Sequence, residues 1–173
     1  MEILSTLAAL RVALGALRAG GNTLALVPTM GNLHGGHLRL VEVARQQAAR
    51  VVVSIFVNPT QFDRTDDFAA YPRTLEADVA QLQAAGVDVV YTPAVEALYP
   101  DGPQARAWVE PASGADLLEG AHRPGHFRGM ATVVTKLLNA VQPDCAVFGE
   151  KDYQQLAIVR TVVRELLLPV TVL

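Results

Sequence analysis

Hydrophobic positions along the chain change spacing several times, and each change marks the boundary of a predicted element. Between Leu7 and Leu17 the leucines recur at helical spacing behind a cap supplied by Ser5 or Thr6, and glycines at residues 20 and 21 predict the end of this helix. Helical spacing returns at residues 37–49, 74–85, 127–141 and 153–167. Short apolar runs predict buried strands at residues 23–27, 51–57, 87–91, 145–148 and 170–173.

Strands that alternate with helices require crossover connections, so the pattern predicts an α/β fold around a parallel sheet. Pro28 is expected to end the strand at residues 23–27, because proline cannot donate to a strand ladder. Residues 92–118 lose the periodicity among four prolines. We expect mostly loop in that stretch, with a short strand at residues 107–110.

Composition then narrows the class of protein. The 173 residues are 51% hydrophobic and 18% charged, with a net charge of −3 and no basic stripe, which argues against nucleic acid as a partner. Apolar runs fall short of the roughly 18 residues of a membrane span, and Glu2 follows Met1 where a signal peptide would be basic. The lone Cys145 in an apolar setting predicts a buried thiol in a cytoplasmic protein. The final residues have the pattern of a core strand, so we expect a fragment of a longer protein.

The first candidate site is the segment between residues 28 and 37, where a loop leads from a strand into a helix. His34 and His37 stand three residues apart, which places both on one side of the helix start. The unpaired N–H groups there favour an anion, and two imidazole donors would stabilise charge on a phosphoryl group. Gly35 and Gly36 would let a nucleotide approach the backbone. Histidines that only cap and pack would be the better interpretation without the flanking strand and helix.

Two further candidate segments follow predicted strands. Asn58 and Gln61 offer amides suited to a substrate with hydroxyls and a carboxylate, although an Asn-Pro turn with surface amides is equally consistent. After the strand at residues 145–148, Lys151 could meet phosphate and Asp152 could accept from ribose hydroxyls, with Gln155 facing the same crevice. On its own this last segment is more typical of a solvated first helical turn.

Other polar clusters leave their roles open. The loop that contains Arg123 and His126 could bind phosphate or carboxylate, or could form a subunit contact. Asp78 and Gln81 share a helical face and are candidates for holding Mg²⁺ through water, although an exposed face explains them better. No Cys/His cluster suggests zinc, and no G-x-S-x-G elbow suggests a serine hydrolase.

Five segments taken together resemble the pantothenate synthetase (pantoate–β-alanine ligase) family. They are PTMGNLHGGH, SIFVNPTQF, YPRT, LLEGAHRPGHFRG and FGEKDYQQL, in this order and spacing. The similarity runs from the first helix to the end of the chain. H-x-G-H alone would indicate only the wider nucleotidylyltransferase and class I synthetase group.

The resemblance implies a Rossmann-like sheet with helices on both faces, and a homodimeric enzyme that uses ATP and Mg²⁺. Pantoate would attack the α-phosphate and release pyrophosphate, after which β-alanine would attack the adenylate to give pantothenate and AMP. Another nucleotidyltransferase, acting on a phosphorylated metabolite, is a weaker interpretation because it would need basic residues around the acceptor.

Residue roles carry over by position from the family motifs. The nucleotide would contact Met30, Gly31, Asn32, Leu33, His34, Gly35, Gly36, His37, Gly149, Glu150, Lys151 and Asp152. Pantoate would contact Met30, Asn58, Gln61 and Gln155, and β-alanine would enter near Gln61. His34, His37 and Lys151 would be catalytic, with His37 as the proton donor.

The chain departs from the family pattern in length. Family members continue into a small C-terminal domain whose Ser- and Arg-containing loop closes over the phosphates. Residues 1–173 would therefore be one N-terminal domain that binds nucleotide and pantoate. A binding module that holds ATP or pantoate without turnover is the alternative to a ligase.

Overall fold

The computed structural model describes residues 1–62, 65–102 and 107–173. Its strands are β1 (Glu2–Leu4), β2 (Leu24–Thr29), β3 (Arg50–Ile55), β4 (Val89–Tyr91), β5 (Cys145–Ala146) and β6 (Thr171–Val172). They form one sheet in the order β1-β4-β3-β2-β5-β6, and every pairing is parallel. Strands β3 and β4 follow β2 towards one edge of the sheet, whereas β5 and β6 lie on the other side of β2. The switch in direction therefore lies between β2 and β5, which is where open α/β sheets bind ligands.

Helices cover both faces of this sheet. They are α1 (Leu7–Arg18), α2 (Gly35–Gln47), α3 (Thr65–Ala70), α4 (Leu75–Ala84), α5 (Val95–Leu98), α6 (Glu119–His122), α7 (His126–Val141) and α8 (Tyr153–Glu165). Single 3₁₀ turns lie at Pro59–Gln61 and Glu150–Asp152. None of the helices within the described residues combines the length and the hydropathy of a membrane span.

Alternation along β2 divides the core between the two faces. Leu24 and Leu26 pack with the apolar sides of α1, α7 and α8, whereas Ala25 and Val27 pack with those of α2 and α4. Both sets of side chains are fully buried, which explains why the strand is apolar without interruption. The predicted α/β fold with helices on both faces is confirmed.

Strand β2 differs from the prediction because it continues through Pro28 to Thr29. Carbonyl groups of even-numbered residues on β2 face β5, as Leu26 shows by accepting from the N–H of Val147. The nitrogen of Pro28 faces the same side, beyond the last residue pair that joins β2 to β5. Proline therefore removes no ladder hydrogen bond, and β2 stays paired with β3 up to Thr29.

Several short elements escaped the sequence prediction. Strand β1, with only three residues, pairs with β4 at one edge of the sheet. Helices α3, α5 and α6 also were not predicted, and α5 and α6 lie in or beside the stretch expected to be loop. The strand expected at residues 107–110 is wrong, since the N–H of Val109 binds the Oγ1 of Thr132 on α7 at 3.0 Å. Cys145 is a buried thiol as expected, and burial raises its pKa.

Candidate active site

A cavity of about 390 Å³ opens where β2 and β5 end, at the switch in the sheet. Polar and glycine positions on its wall are Thr29, His34, Gly36, His37, Gln61, Tyr71, Gly149, Lys151, Asp152 and Gln155. Apolar positions are Pro28, Met30, Leu40, Phe56, Met130, Val133, Val134, Leu137 and Phe148. The structure thus brings together residues from all three candidate segments. Of the residues assigned from the family motifs, Gly31, Asn32, Leu33, Gly35, Asn58 and Glu150 are not on this wall.

The two histidines at the start of α2 hold each other in place. His34 is the N-cap, and its Nδ1 accepts from the N–H of Gly36 at 3.1 Å. His37 Nδ1 accepts in return from the N–H of His34 at 3.3 Å, which completes a capping box. Because each Nδ1 is an acceptor, the neutral rings carry their protons on Nε2. The ring centroids lie 4.2 Å apart. Because capping uses only Nδ1, each ring can cap the helix and still donate a hydrogen bond from Nε2.

Gly36 is required by this arrangement. A Cβ added at Gly36 would lie 2.9 Å from Cε1 and 3.1 Å from Nδ1 of His34. Any side chain at this position would therefore push the His34 ring out of its cap. The structure thus gives a reason for glycine at position 36 that concerns the His34 ring, whereas close approach of a nucleotide stays a prediction.

Burial favours the neutral form of His37. Desolvation and the neighbouring His34 lower the pKa of His37 from its ordinary value of 6.5, while Asp78 and Asp152 act in the opposite direction. A neutral His37 can accept at Nδ1 and donate from Nε2 at the same time. Protonation would place a hydrogen on Nδ1 and break the capping box.

The lowered pKa of His37 predicts a pH dependence of stability. The unfolded chain binds this proton more readily, so the contribution of His37 to the free energy of unfolding is present above about pH 6.5 and is lost as the pH falls below that value. We expect the melting temperature of the unsubstituted chain to fall more steeply between pH 7 and pH 5 than that of His37→Asn, which does not titrate there. An equal change of melting temperature with pH in the two proteins would contradict this prediction.

Asp78 does not lie on an exposed helix face, so that interpretation is wrong. The residue sits on the first turn of α4 and is 1% exposed. Its oxygens accept from the N–H groups of Asn32 and Leu33 at 2.9 and 2.8 Å. Gln81 is half-buried on the same helix. Within the residues that the structure describes, no group of three or more His, Cys, Asp or Glu is arranged to hold a metal.

Asn58 and Gln61 are likewise not surface amides, because they are 1% and 8% exposed. Asn58 Nδ2 donates to Gln61 Oε1 at 3.0 Å, and Asn58 Oδ1 accepts from the hydroxyl of Tyr99 at 2.8 Å. The Nε2 of Gln61 donates to the sulfur of Met30 at 3.2 Å, and both residues line the cavity. Asn58 therefore sets the orientation of the Gln61 amide, and this amide belongs to a residue of the cavity wall.

Helix α7 packs against the 3₁₀ turn at Pro59–Gln61. Asn58 Nδ2 also donates to the carbonyl of Gly129 at 3.1 Å. A Cβ at Gly129 would lie 2.2 Å from the carbonyl oxygen of Thr60, so only glycine allows the helix backbone to approach so closely. The position of Gln61 thus depends on direct backbone packing between α7 and the 3₁₀ turn.

Arg123 and His126 serve the same turn. His126 is buried, and its Nδ1 donates to the carbonyl oxygen of Gln61 at 2.8 Å. Arg123 Nη2 donates to the same oxygen at 3.3 Å, while its Nη1 pairs with Glu119 at 2.7 Å. Sequence reasoning left phosphate binding and subunit contact open, but the structure gives both side chains an internal partner.

Another part of the cavity wall is formed by the 3₁₀ turn at Glu150–Asp152 and the start of α8. Lys151 is 88% exposed and pairs with Asp152 at 3.1 Å. An ion pair this exposed contributes little to stability, so Lys151 can exchange Asp152 for a phosphate at small cost. Gln155 lines the cavity one turn further along α8. Lys151, Asp152 and Gln155 therefore line the same cavity as the two histidines.

Apart from Met30, sequence reasoning missed the apolar part of the wall. Met130, Val133, Val134 and Leu137 of α7 all line the cavity, and Tyr71 closes it from another side. Helix α7 has a broad apolar face, wider than the roughly 100° stripe of an ordinary surface helix. That excess was the available signal for a second apolar contact.

Comparison with known proteins agrees with this geometry. A family model described as Pantoate-beta-alanine ligase matches residues 2–173. The pantothenate synthetase of Thioalkalivibrio sulfidiphilus is 58% identical over 173 residues, covering 100% of this chain and 60% of that protein. The enzyme of Aeromonas hydrophila is 56% identical over 172 residues, covering 99% and 60%. The chain thus spans about 60% of the length of these curated relatives.

Solved structures show the same relationship. The pantothenate synthetase of Thermus thermophilus has a TM-score of 0.92 and 52% identity, covering 100% of this chain and 60% of that one. The pantoate-beta-alanine ligase of Francisella tularensis, complexed with beta-gamma ATP and β-alanine, has a TM-score of 0.95 and 38% identity, covering 100% and 66%. Because the family model matches residues 2–173, almost the whole of this chain, the chain belongs to the pantoate-beta-alanine ligase family.

Proposed function

We propose that this site activates pantoate with ATP as an acyl adenylate and couples it to β-alanine. The observation that carries the proposal is the cavity itself, which places the histidine pair of α2, the Lys151 turn and the amides of Gln61 and Gln155 around one space. Membership of the ligase family supports the same reaction.

The nucleotide would occupy the side formed by α2 and α8. Its phosphates would lie against the start of α2, where the helix dipole and the Nε2–H groups of His34 and His37 favour negative charge. Lys151 would reach a phosphate, and Asp152 would accept from ribose hydroxyls. Gly149, three residues after β5, borders open space that the nucleotide could occupy, since a Cβ there would meet nothing within 4 Å.

Pantoate would occupy the side formed by α7 and the Asn58–Gln61 turn. An amide NH₂ has two hydrogens, so Gln61 Nε2 could donate to a carboxylate or hydroxyl oxygen as well as to Met30, and Gln155, also on the cavity wall, would bind the same acid. The apolar side chains of Val133, Val134 and Leu137 suit the two methyl groups of pantoate. β-Alanine would enter near Gln61.

The proposed reaction has two steps. A carboxylate oxygen of pantoate attacks the α-phosphorus of ATP in line, and the bond to pyrophosphate breaks. The amine of β-alanine then attacks the carbonyl carbon of the mixed anhydride, AMP leaves with the bonding electrons, and the amine loses a proton. His34 and His37 would donate hydrogen bonds to phosphoryl oxygens as charge builds during the first step. Such hydrogen bonds strengthen as the transition state forms.

Mg²⁺ would reach the site with the triphosphate. Mg²⁺ in proteins is held mainly by phosphate oxygens and waters, with one or two carboxylates. Asp152 is a carboxylate on the cavity wall, whereas both oxygens of Asp78 already accept hydrogen bonds inside the protein. Asp152 would therefore suit a water-mediated contact to Mg²⁺, whereas Asp78 would suit such a contact poorly.

We also propose that residues 1–173 act as one nucleotide- and pantoate-binding domain of a cytoplasmic homodimer. Exposed apolar side chains at Leu117, Leu118 and Tyr153 support association, because isolated soluble domains expose few such clusters. The buried free thiol of Cys145 supports a reducing compartment.

Pyrophosphate release from ATP and Mg²⁺, measured with and without pantoate, tests the proposed function. We expect release to rise with pantoate concentration, and calorimetric titration of the same sample to show binding of ATP and of pantoate. Binding of both ligands without release would favour the alternative of a binding module, in which the part of the relatives unmatched by this chain supplies the rest of the phosphate clamp. ATP consumption that ignores pantoate would contradict the assigned acid.

A further inference from the structure

Asp78 is a buried carboxylate for which the proposed reaction has no use. Its Oδ1 accepts from the N–H of Leu33 at 2.8 Å. Its Oδ2 accepts from the N–H of Asn32 at 2.9 Å and from the hydroxyl of Thr74 at 3.1 Å. Burying a charged group is costly unless it is hydrogen-bonded, and these three hydrogen bonds supply that compensation.

The loop that Asp78 binds has an unusual backbone. Gly31 and Asn32 both have positive φ angles, +81° and +53°. A left-handed conformation is unfavourable for a residue with a Cβ, so Asn32 needs its surroundings to hold it there. Successive residues in turn conformations direct their N–H groups into a common concavity that binds anions. In this protein the anion in that concavity is Asp78.

The position of this loop connects Asp78 to the cavity. Leu33, whose N–H Asp78 accepts, directly precedes His34, the N-cap of α2. Met30, which directly precedes the loop, lines the cavity. Space on the Asp78 side is also filled, since a Cβ at Gly31 would lie 3.1 Å from Oδ2 of Asp78. Gly31 is therefore packed directly against the carboxylate.

We propose that Asp78 is a positioning residue, an internal anion that fixes residues 31–33 and thereby orients His34 and His37 towards the bound nucleotide. This inference rests on the proposed function for the nucleotide, but its first step concerns the loop alone. By occupying the N–H groups of Asn32 and Leu33, Asp78 also leaves the start of α2 as the place for phosphate. The charge of Asp78 raises the pKa of His37 against the effect of burial, which agrees with their proximity.

Asp78→Asn is the direct test. The asparagine keeps the shape, but its NH₂ group must face donors that the carboxylate now accepts, so at least one loop N–H loses its partner. We expect hydrogen exchange at the amides of Asn32 and Leu33 to quicken by about tenfold or more. We expect ATP to bind about tenfold or more weakly, with a lower kcat for pyrophosphate release rather than only a higher KM, since a misplaced donor costs transition-state stabilisation.

Two matched variants distinguish a positioning role of Asp78 from the role of a metal ligand. Thr74→Val removes only the hydroxyl that Asp78 accepts, and it should leave exchange at the two amides and ATP affinity within about twofold of the unsubstituted chain. Gln81→Ala removes the Mg²⁺ candidate on the same helix as Asp78, and it should leave ATP affinity unchanged at every Mg²⁺ concentration. A loss in Asp78→Asn that excess Mg²⁺ restores, or that Gln81→Ala reproduces, would overturn the proposal in favour of a metal ligand.

The unsubstituted chain supplies a test that does not depend on the folding of any variant. Its Asn32 and Leu33 amides should exchange slowly without any ligand, and free exchange would overturn the proposal outright. Slow exchange that Asp78→Asn abolishes, in a chain that binds no ATP, would support the fixed loop and reject the proposed function. The two ideas can therefore fail separately.

Discussion

We expect replacement of His37 by alanine to slow pantoate-dependent pyrophosphate release by about two to three orders of magnitude, the usual cost of losing one donor to a developing negative charge. The neutral ring carries its proton on Nε2 because Nδ1 accepts from the N–H of His34. Alanine removes both the donor and the acceptor. The rate should fall in a protein from this family that turns over, measured at saturating ATP and pantoate.

Two substitutions at the same position separate the two nitrogen atoms of His37. His37→Asn retains an acceptor near Nδ1, so it should keep the capping box and the melting temperature while remaining as slow as alanine. His37→Gln places an amide near Nε2, so it should recover part of the rate. If asparagine restores turnover and glutamine does not, His37 acts only through the helix start and its role as a donor is wrong.

The second large effect is expected at Gly129, near the start of α7. A Cβ there would lie 2.2 Å from the carbonyl oxygen and 2.5 Å from the carbonyl carbon of Thr60. These are backbone atoms, so alanine must force α7 and the 3₁₀ turn apart. We expect Gly129→Ala to lower the free energy of unfolding by about 3 kcal/mol, at the upper end of overpacking effects. Pantoate binding should weaken as well, because the turn carries Gln61.

Gly15 supplies the control for this substitution. It also lies in a helix, but a Cβ at Gly15 would meet nothing within 4 Å. Gly15→Ala should therefore stabilise the protein by about 0.5–1 kcal/mol in chemical denaturation. Equal effects at the two glycines would show that helix propensity, and not the approach of α7 to the turn, decides the outcome.

The core elements of the fold could be predicted because their signals are local. Uninterrupted apolar runs identified five strands, and Thr6 caps α1 as its sequence suggests, accepting from the N–H of Ala9 at 3.2 Å. Errors arose where the answer depends on a distant partner. Pro28 continues a strand only because β5 is too short to pair with it. Three residues form β1 only because the edge of β4 is available.

The site divides in the same way. Residues that follow strands could be assigned to the cavity, since the carboxyl ends of parallel strands share an edge. The burial of Asp78 could not be predicted, because charged residues in a first helical turn are usually exposed and its partners lie 45 and 46 residues earlier. Arg123 and His126 were equally out of reach, since their acceptor is the backbone carbonyl of Gln61, 62 and 65 residues earlier.

The apolar face of α7 has a consequence for the choice between similar acids. Val133, Val134 and Leu137 can recognise alkyl groups only by contact, without any hydrogen bond that a wrong substrate would leave unmade. Contact of this kind distinguishes compounds that differ by one methyl group by only about 10–200-fold. Analogues of pantoate that lack a methyl group should therefore be turned over as slow alternative substrates. Shortening one of these valines to alanine should shift the preference towards bulkier homologues, which makes α7 the natural starting point for redesigning the product.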